Sequence, residues 1–596
     1  MKNKVNLKKV SDVVAEVLIE EKVSHVFAIS GGASLHLIHS LADNENIQYV
    51  CNHNEQAAAM AADGYSRVSG NIGVALTTSG PGATNLITGI CCSYYDSVPS
   101  LFITGQVSTF RMKGDTGVRQ IGFQETPIVD VVKSITKYAY TINHPSEIKY
   151  QIQKALHIAR SGRPGPVLID IPDDLQRVNI ESSLLKNFQP DIEQEKGNLT
   201  DTILNIMSMI KKSKRPVIIA GWGIHLSKTQ SDFIKFAEDL NLPIALTWGA
   251  ADLISFDHEL YIGTFGTHGN RHANFAVQNA DLIISLGSRL DTKSTGSPVN
   301  TFARKAKRIM VEIDINELNK FKKFDLKFDK LIHCDLKDFF DEVQKINIQK
   351  FFNKHDDWVN QINQWQEAFN AFDDRKNLST TQVNPYNFVD RISDNLKENS
   401  KVFIDTGCSI AWFMQSIRTP KTVRVFHDFN NTAMGWALPA SIGGYYADLG
   451  KSPIITIVGD GGFMMTSYEL ATAMHNNIPL KIFIMNNQGY SMIQQTQDQW
   501  LDSNYYASSK QGGISFPDFQ KLSKAYNFKY FELKDDSDLH LVEEIFAYPK
   551  ALICNVFIDN DFRVTPQVKF GRPNEDMGPL LPRDMFNANM IIDPIK

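Results

Sequence analysis

Short apolar runs alternate with amphipathic segments along most of the chain, and glycine or polar residues follow each run. In the first third, Val74–Thr77 and Val167–Ile171 are typical of buried strands, whereas Val10–Glu21 has the period of a helix. Strands that alternate with helices predict parallel sheets covered by helices on both faces. The sequence therefore predicts an α/β fold of doubly wound parallel sheets.

Two interruptions of this pattern predict three such domains. A chain of 596 residues is too long for one core, and polar or loop-like stretches occur at 189–198 and 378–387. We place the domains at 1–185, 195–350 and 380–560, followed by a proline-rich tail at 561–596. The tail is interpreted as either a lid or a surface strap.

The stretch from Ile455 to Met492 is the most informative about function. Its apolar runs, Ile455–Val458 and Leu480–Met485, predict two strands, with a helix over about Ser467 to Asn476 between them. The segment Gly459-Asp460-Gly461-Gly462 is predicted to be a tight turn. A strand–helix–strand unit puts both strand ends at one edge of a parallel sheet, where such folds bind ligands.

Those two strand ends carry oxygen ligands and glycine NH groups. Asp460 follows the first strand, and Asn487 and Gly489 follow the second. Carboxylate and amide oxygens suit Mg²⁺, which usually completes its shell with phosphates and water, and glycine NH groups at a helix start suit a phosphate. Either segment alone is usually an ordinary turn, so the prediction depends on the pair at this spacing.

Glu55 lies where a predicted strand, Ile47–Cys51, is followed by a long alanine-rich helix, Gln56 to Val68. The helix macrodipole favours any carboxylate at this position. The alanines imply close packing around the helix, which would desolvate the carboxyl group and raise its pKa. Glu55 is therefore interpreted as either a helix-start carboxylate or a buried acid that faces a cofactor.

These segments resemble the motifs of thiamine diphosphate (ThDP) enzymes, and most closely those of the acetolactate synthase-like family. The resemblance rests on NEQAAAMAADGYSRVSG at 54–70, TTSGPGATN at 77–85 and the motif around Asp460, and it extends from about residue 8 to 560. It implies a pyrimidine-binding domain, a middle domain and a diphosphate-binding domain.

The resemblance also implies the roles of individual residues. Glu55 would hydrogen-bond the aminopyrimidine ring, and Met434 would be the apolar side chain that bends ThDP. The implied ThDP contacts are Glu55, Pro81, Asn85, Gly407, Cys408, Ser409, Met434, Gly459, Asp460, Gly461, Gly462, Asn487, Gly489, Tyr490, Ser491 and Met492. The implied Mg²⁺ ligands are Asp460, Asn487 and Gly489, and the implied catalytic or substrate-pocket residues are Glu55, Gln124, Phe123 and Gly32.

Strand ends of the middle domain carry glycine and acidic residues. A lone GxG is weak evidence, although an acid at a strand end can bind a ribose hydroxyl. Their order resembles the flavin-binding domain of acetolactate synthases, in which FAD is structural; equivalent domains elsewhere are empty or hold ADP. The implied FAD contacts are Gly221, Gly223, Gly266, Thr267, His268, Gly287, Ser288, Arg289, Asp314 and Asp335.

The implied activity is that of a ThDP- and Mg²⁺-dependent carboligase. Such an enzyme decarboxylates pyruvate and transfers the acetyl unit to a second carbonyl acceptor. Glu55 and Asp460 lie on different domains, and in this family they reach one cofactor across a subunit interface. We therefore expect a homodimer or homotetramer.

Departures from the family pattern predict a more open acceptor pocket. Gly407-Cys408-Ser409-Ile410 replaces GQHQ, Thr496 replaces a tryptophan, and Ile29-Ser30 replaces Tyr-Pro. The loop at 107–122, rich in arginine, lysine and glycine, is either a solvated surface loop or a basic lip that meets an anionic acceptor. Three alternatives stay open: acetyl transfer to a nucleotide-linked keto-sugar in surface-polysaccharide biosynthesis, a 2-keto acid decarboxylase or oxidase, and an inactive regulatory homologue.

Composition, apolar runs and cysteine spacing argue against several other classes of protein. Hydrophobic content of 43%, charged content of 21% and a net charge of -5 give no reason to expect nucleic acid or an anionic membrane as partner. The sequence shows neither a bilayer-spanning apolar run nor the apolar core of a signal peptide. The six cysteines have no CxxC spacing, so the sequence suggests neither a zinc site nor a disulfide framework. A cytoplasmic enzyme is expected.

Overall fold

The computed structural model describes residues 7–190, 199–371, 378 and 380–595, so most of the predicted linker at 189–198 lies outside the described residues. Three six-stranded sheets follow one another along the chain, and within each sheet all neighbouring strands are parallel. The predicted fold class of three parallel-sheet α/β domains is confirmed. No helix among the described residues has both the length and the apolar character needed to cross a membrane.

The first domain carries the carboxyl and glycine segments predicted to bind the pyrimidine. Its elements are β1 (Leu7–Lys9), α1 (Val10–Glu20), β2 (His25–Ala28), α2 (Leu35–Ala42), β3 (Gln48–Cys51), α3 (Glu55–Ser69), β4 (Gly73–Thr77), α4 (Pro81–Thr84), α5 (Ile87–Tyr95), β5 (Ser100–Gln106), α6 (Ile128–Val132), β6 (Tyr138–Thr141), α7 (Ile148–Arg160), β7 (Val167–Pro172), α8 (Asp173–Gln176) and β8 (Asn179–Glu181). The sheet order is β3-β2-β4-β5-β7-β6, while β1 and β8 form a separate antiparallel pair.

The middle domain has the strand order of a dinucleotide-binding fold, β11-β10-β9-β12-β13-β14. Its elements are α9 (Thr200–Lys212), β9 (Pro216–Ala220), α10 (Gly223–Leu226), α11 (Gln230–Asp239), β10 (Ile244–Leu246), β11 (Tyr261–Thr264), α12 (Arg271–Asn279), β12 (Leu282–Leu286), α13 (Thr292–Thr295), β13 (Lys307–Glu312), α14 (Ile315–Asn319), β14 (Lys330–His333), α15 (Leu336–Val343) and α16 (Asp356–Ala371). The strand order reverses between β9 and β12, which is where such folds bind ligands.

The third domain repeats the topology of the first, with strand order β16-β15-β17-β18-β20-β19. Its elements are α17 (Pro385–Asn395), β15 (Lys401–Ile404), α18 (Cys408–Ser416), β16 (Arg424–Phe426), α19 (Ala437–Ala447), β17 (Ile454–Gly459), α20 (Asp460–Thr466), α21 (Leu470–His475), β18 (Lys481–Asn486), α22 (Ser491–Trp500), α23 (Phe519–Ala525), β19 (Lys529–Leu533), α24 (Val542–Ala547) and β20 (Leu552–Phe557), with α25 (Arg583–Asn589) in the tail.

Helices α3 and α19 join the first and third domains at backbone contact. A Cβ on Gly64 would lie 2.3 Å from the Ala440 carbonyl oxygen, and one on Gly443 would lie 1.9 Å from the Ala61 carbonyl oxygen. Two helices approach this closely only where small residues face each other, which explains the alanine and glycine content of both segments. The position of Glu55 at the start of α3 is thereby fixed relative to the third domain.

A buried polar network reinforces the same junction. Arg67 donates to Asp63 (2.6 Å), to Asp96 (2.9 Å) and to the His427 carbonyl oxygen (2.9 Å). The Trp436 indole NH also donates to Asp63, at 3.0 Å. Every side-chain donor and acceptor named here is paired, as burial requires.

The tail is a strap that joins the third domain to the middle domain. The Gln495 side-chain amide donates to the Val564 carbonyl oxygen at 2.9 Å, and the Val564 backbone NH donates to the Gln495 side-chain oxygen at 3.0 Å. Farther along, Glu575 forms an ion pair with Arg304 at 2.7 Å, and Glu575 is only 2% exposed. Of the two interpretations of the tail, the strap fits these contacts.

Candidate cofactor and active site

The predicted metal-binding segments meet at the carboxyl ends of β17 and β18. The helix predicted over about Ser467 to Asn476 is present as a 3-10 turn at Ser467–Glu469 followed by α21. Asp460 is the first residue of α20, so the prediction of a tight turn at Gly459–Gly462 is wrong. Glycine favours turns by propensity, but here close packing overrides that preference. A Cβ on Gly461 would lie 2.2 Å from the Tyr490 ring, and one on Gly462 would lie 2.8 Å from an Asp405 carboxylate oxygen.

Asp460 is a buried carboxylate that reaches across to the second strand end. It is 1% exposed, and its two oxygens accept from Gly461 N at 2.7 Å and Gly489 N at 3.2 Å. Burial raises its pKa to about 7, although backbone NH groups, including that of Asn487, oppose the rise. A nearby cation would stabilise the ionised form.

The donor set fits Mg²⁺ that shares its shell with a diphosphate. Asp460 and Asn487 are both buried within this edge, and Gly489 adjoins Asp460 directly. Among the described residues, no group of three or more His, Cys, Asp and Glu side chains could hold a metal ion. One carboxylate, one amide and a backbone carbonyl are too few for an all-protein cage but suit a magnesium ion that retains phosphate and water ligands.

Two further helix starts face the same edge. Gly407 has φ +93°, and no atom lies within 4 Å of its absent Cβ, so the backbone there is open to a ligand. Cys408 and Ser409 begin α18, and a Cβ on Gly459 would lie 3.9 Å from the Ser409 hydroxyl. Ser491 begins α22, and its buried hydroxyl has no hydrogen-bond partner among the described residues. An orphaned hydroxyl and free helix NH groups fit phosphate oxygens.

Asp405 is a residue whose role sequence reasoning missed. It is 1% exposed and accepts from the backbone NH groups of Gly435 (3.1 Å) and Ala437 (3.0 Å). Burial raises its pKa to about 6 against these hydrogen bonds. Asp405 thus fixes the segment that carries Met434, whose terminal methyl lies 3.0 Å from the absent Cβ of Gly461. The only sequence signal was its place at the end of a strand, before Thr-Gly.

Glu55 lies at the first turn of α3, half-buried in the single chain. Asn85 donates to its carboxylate at 2.8 Å, and a Cβ on Gly82 would lie 3.5 Å from its other oxygen. The structure therefore brings Glu55 together with the turn that contains Pro81 and Asn85. Glu469 of the third domain accepts from the neighbouring His53 backbone NH at 2.8 Å, and its part in holding this edge was not anticipated.

The three substrate-pocket candidates differ in how the chain surrounds them. Gln124 has φ +64° and lies against Gly80, whose absent Cβ would be 3.0 Å from the Gln124 Cβ. A Cβ on Gly32 would have no atom within 4 Å, so this backbone borders open space. Phe123, next to Gln124 in the sequence, has a side chain that is 85% exposed in the single chain.

A separate cleft lies where the strand order of the middle domain reverses. Predicted FAD contacts that line it are Gly223, Thr267, His268, Gly287, Ser288, Arg289 and Asp335, whereas Gly221, Gly266 and Asp314 do not. Asp314 instead caps α14 and pairs with Arg163 at 3.0 Å. Glu312, the last residue of β13, lines the cleft.

The cleft has unsatisfied polar atoms that fit a nucleotide. Trp222 Nε1, His268 Nδ1 and Arg289 Nε are buried, line the cleft and have no hydrogen-bond partner among the described residues. Burial of an unpaired NH group is costly, and phosphate or flavin oxygens would satisfy those of Trp222 and Arg289. His268 Nε2 donates to the Gln567 amide oxygen at 3.2 Å, so its Nδ1 is an acceptor that an NH or OH group of a nucleotide would satisfy. Burial also raises the pKa of Glu312, a group able to bind a ribose hydroxyl. Trp222 was visible in the sequence only as the middle of a GWG turn.

Comparison with known proteins agrees with this arrangement. Family models of the thiamine pyrophosphate enzymes match the chain three times: the N-terminal TPP binding domain at 8–131, the central domain at 203–342 and the C-terminal TPP binding domain at 405–556.

Curated relatives extend the match over almost the whole chain. The acetolactate synthase large subunit of Lactococcus lactis is 32% identical over 570 residues, which cover 95% of each chain. A probable acetolactate synthase large subunit of Methanocaldococcus jannaschii is 33% identical over 537 residues, 87% of each. Acetolactate synthase 1, chloroplastic, of Zea mays is 30% identical over 578 residues, 96% of this chain and 88% of that protein. The chain belongs to the thiamine diphosphate enzymes and, within them, to the acetolactate synthase-like carboligases.

Proposed function

We propose that this enzyme decarboxylates pyruvate and transfers the resulting two-carbon acetyl unit to a second carbonyl compound, with ThDP and Mg²⁺ as cofactors. The proposal depends most on Asp460, a buried carboxylate held 3.2 Å from Gly489 N at the edge where β17 and β18 end. When bound, ThDP supplies the carbon nucleophile and the electron sink that decarboxylation requires. The protein supplies binding, orientation and exclusion of water.

Asp460, Asn487 and the Gly489 carbonyl are the proposed Mg²⁺ ligands, with the diphosphate at the starts of α18 and α22. Burial of Asp460 favours this role, because a bound cation would stabilise the ionised carboxylate inside the protein. The metal in turn holds the diphosphate by charge, so the two bind together. Asp405 holds the backbone segment that carries Met434, and the Met434 side chain would hold the cofactor in its bent conformation.

Glu55 is the proposed proton-exchange group for the pyrimidine ring. Its carboxylate is oriented by the Asn85 amide at 2.8 Å and stands at the start of α3. From there a hydrogen bond to the ring nitrogen would promote the tautomer that activates the cofactor. Gln124, against the Gly80 turn beside Glu55, is the proposed polar contact for the substrate.

We propose FAD, in a structural role, for the cleft of the middle domain. Its support is the buried Trp222 and Arg289 NH groups and the buried His268 Nδ1 acceptor, none of which has a hydrogen-bond partner among the described residues, together with Glu312. A yellow colour and a flavin absorption spectrum of the purified protein would test this. A colourless protein that contains ADP would replace FAD with another adenine nucleotide.

We propose that the active enzyme is a homodimer or homotetramer with its sites between subunits. Large apolar side chains beside the candidate site are exposed in one chain: Phe123 by 85%, Met464 by 38% and Met465 by 45%. Exposed apolar surface next to a reaction site is normally covered by a partner. A second subunit would also enclose Glu55.

A bulky anionic acceptor, such as a nucleotide-linked keto-sugar, is the second candidate. It is favoured by exposed Arg111 and Arg119 on the loop at 107–122 and by Thr496, a small side chain on α22. The experiment is mass spectrometry of products from pyruvate with a panel of keto acids, aldehydes and nucleotide keto-sugars. Acetolactate from pyruvate alone supports the small acceptor. Free acetaldehyde or acetate with every acceptor would refute carboligation.

A further inference from the structure

The loop at 107–122 is closed by one buried carboxylate. Glu125 is 8% exposed and accepts from three backbone NH groups: Lys113 at 2.6 Å, Ile121 at 2.9 Å and Gly122 at 3.2 Å. Lys113 lies at the middle of the loop, whereas the other two lie at its end. Glu125 therefore closes the second half of the loop, residues 113–122, and the first half is held separately where Thr109 donates to Asp174 at 2.6 Å.

The electrostatics of this anchor favour a permanently ionised group. Burial alone would raise the pKa of Glu125, but the three NH groups and the Lys113 charge hold it below its ordinary value. Hydrogen bonds to an ionised acceptor are about twice as strong as neutral ones. Charge-assisted hydrogen bonds thus hold this part of the loop.

A second set of contacts fastens the chain just after Glu125. The Gln106 amide, at the end of β5, donates to the Thr126 carbonyl oxygen at 2.8 Å and to Asp170 at 3.0 Å. Asp170 is 1% exposed on the adjacent strand β7. Glu125 therefore anchors the loop itself, and Gln106 anchors Thr126, the residue that follows Glu125, to the sheet.

Gln124 lies between these two anchors in a backbone conformation that needs support. Its φ of +64° is in the left-handed region, which costs a non-glycine residue about 1 kcal/mol. Gly80 leaves room for it, since a Cβ there would lie 3.0 Å from the Gln124 carbonyl oxygen. Without neighbours that hold this conformation, Gln124 would relax away from the turn beside Glu55.

We propose that Glu125 is a positioning residue: by closing the loop at 107–122 it holds Gln124, and the exposed cations of the loop, in place for the acceptor. The inference rests on the proposed carboligase function. It assigns the second half of the loop, residues 113–122, as a wall of the acceptor site that this carboxylate holds in place.

The test compares Glu125→Ala and Glu125→Gln with Asp115→Asn. Asp115 is an exposed acid of the same loop, so this control removes a charge without removing the anchor. Hydrogen exchange of peptides covering 107–125 and tryptic cleavage after Arg111, Lys113 and Arg119 report loop opening. Steady-state kinetics with pyruvate and acceptor report positioning, and ThDP titration reports the cofactor site.

In both Glu125 variants we expect about tenfold faster exchange and cleavage, since the lost hydrogen bonds are charge-assisted. We also expect a higher KM for the acceptor with a smaller change in kcat, and ThDP affinity close to that of the wild type. Glu125→Gln keeps one acceptor oxygen, so its effects should be smaller than those of Glu125→Ala, and it serves if the alanine variant does not fold.

Equal exchange and cleavage in Glu125→Ala and Asp115→Asn would overturn the anchor. An open loop with unchanged acceptor KM would overturn the positioning role. The exchange measurement needs no substrate, so it stands apart from the proposed function. A wild-type enzyme that forms no carboligation product would reject that function, and the positioning role with it, while leaving the anchor to be judged by exchange.

Discussion

At the scale of single residues, the site is governed by carboxylates whose surroundings differ. Asp460 and Asp405 are each 1% exposed, and burial raises the pKa of the first to about 7 and of the second to about 6. Glu125 accepts three backbone hydrogen bonds, and its pKa is lowered. Asp460 therefore suits a cation, Asp405 fixes the segment that carries Met434, and Glu125 anchors the loop at 107–122.

Glu55→Gln should lower pyruvate turnover by about 10²- to 10⁴-fold, the usual contribution of a proton-transferring group. The amide keeps the shape of the side chain, so ThDP should still bind. Turnover and ThDP titration measure the two effects. Glu45→Gln, an exposed acid in the same domain, is the control. Equal turnover in both variants would remove Glu55 from the mechanism.

The Asp460→Asn variant should distinguish the effect of this side chain on folding stability from its effect on cofactor binding. The pKa of Asp460 is raised in the fold, so its stabilising contribution is present below about pH 4 and is lost as pH rises through about 7. At pH 8 the cofactor-free variant should melt no lower than the wild type, because a buried unpaired charge is gone. The rise in melting temperature that ThDP and Mg²⁺ produce should disappear. A full cofactor-induced rise in the variant would contradict the ligand role.

At the scale of elements, the sequence predicted the strands and the helices α1 and α3 well, but it missed the helix α20. The runs at Val74–Thr77 and Ile455–Val458 lie within β4 and β17, because continuous apolar segments bounded by glycine occur mainly in buried parallel strands. The start of α20 was missed, since Gly461 and Gly462 signal a turn unless the rings and carboxylates packed against them are known.

The same limit explains which candidate site residues the sequence could place next to one another in the structure. Asp460 and Gly489 were predictable because neighbouring parallel strands end at one edge. Asp314 was assigned to the cleft from the resemblance of the middle domain, but it caps α14 and pairs with Arg163, and Glu312 lines the cleft. The loop anchor Glu125 left no sequence pattern, because its partners are backbone NH groups.

Gly461→Ala tests the packing at the start of α20. A Cβ there would lie 2.2 Å from the Tyr490 ring, so overpacking should cost about 1–3 kcal/mol and lower the melting temperature. Gly459→Ala is the matched control, since the nearest atom to its Cβ would be 3.9 Å away. Equal melting temperatures for the two variants would refute the packing account.

At the scale of the whole molecule, three domains are held as one body by buried contacts and by the strap. Arg67 connects α3 to the third domain among the carboxylates Asp63, Asp96 and Asp428. The pKa of Asp96 is raised to about 7 by burial, although Arg67 opposes the rise. More acidic groups than basic ones are buried here, so the junction depends on the arginine.

Arg67→Met should therefore destabilise the enzyme by about 3–5 kcal/mol at pH 8, since the buried carboxylates lose the arginine that pairs with them. The loss should shrink toward pH 6, because Asp96 then takes up a proton. Melting curves at the two pH values measure this, with Arg119→Met, on the exposed loop, as control. A loss that is independent of pH would contradict the electrostatic account.

The central claim is that Glu55 of one subunit and Asp460 of another serve the same ThDP. Two inactive variants, Glu55→Gln and Asp460→Ala, can be mixed, dissociated and reassembled. If sites form across a two-fold interface, mixed dimers contain one intact site, and activity should recover to about one quarter of the wild-type value. A reassembled mixture that stays as inactive as either variant alone would contradict the account.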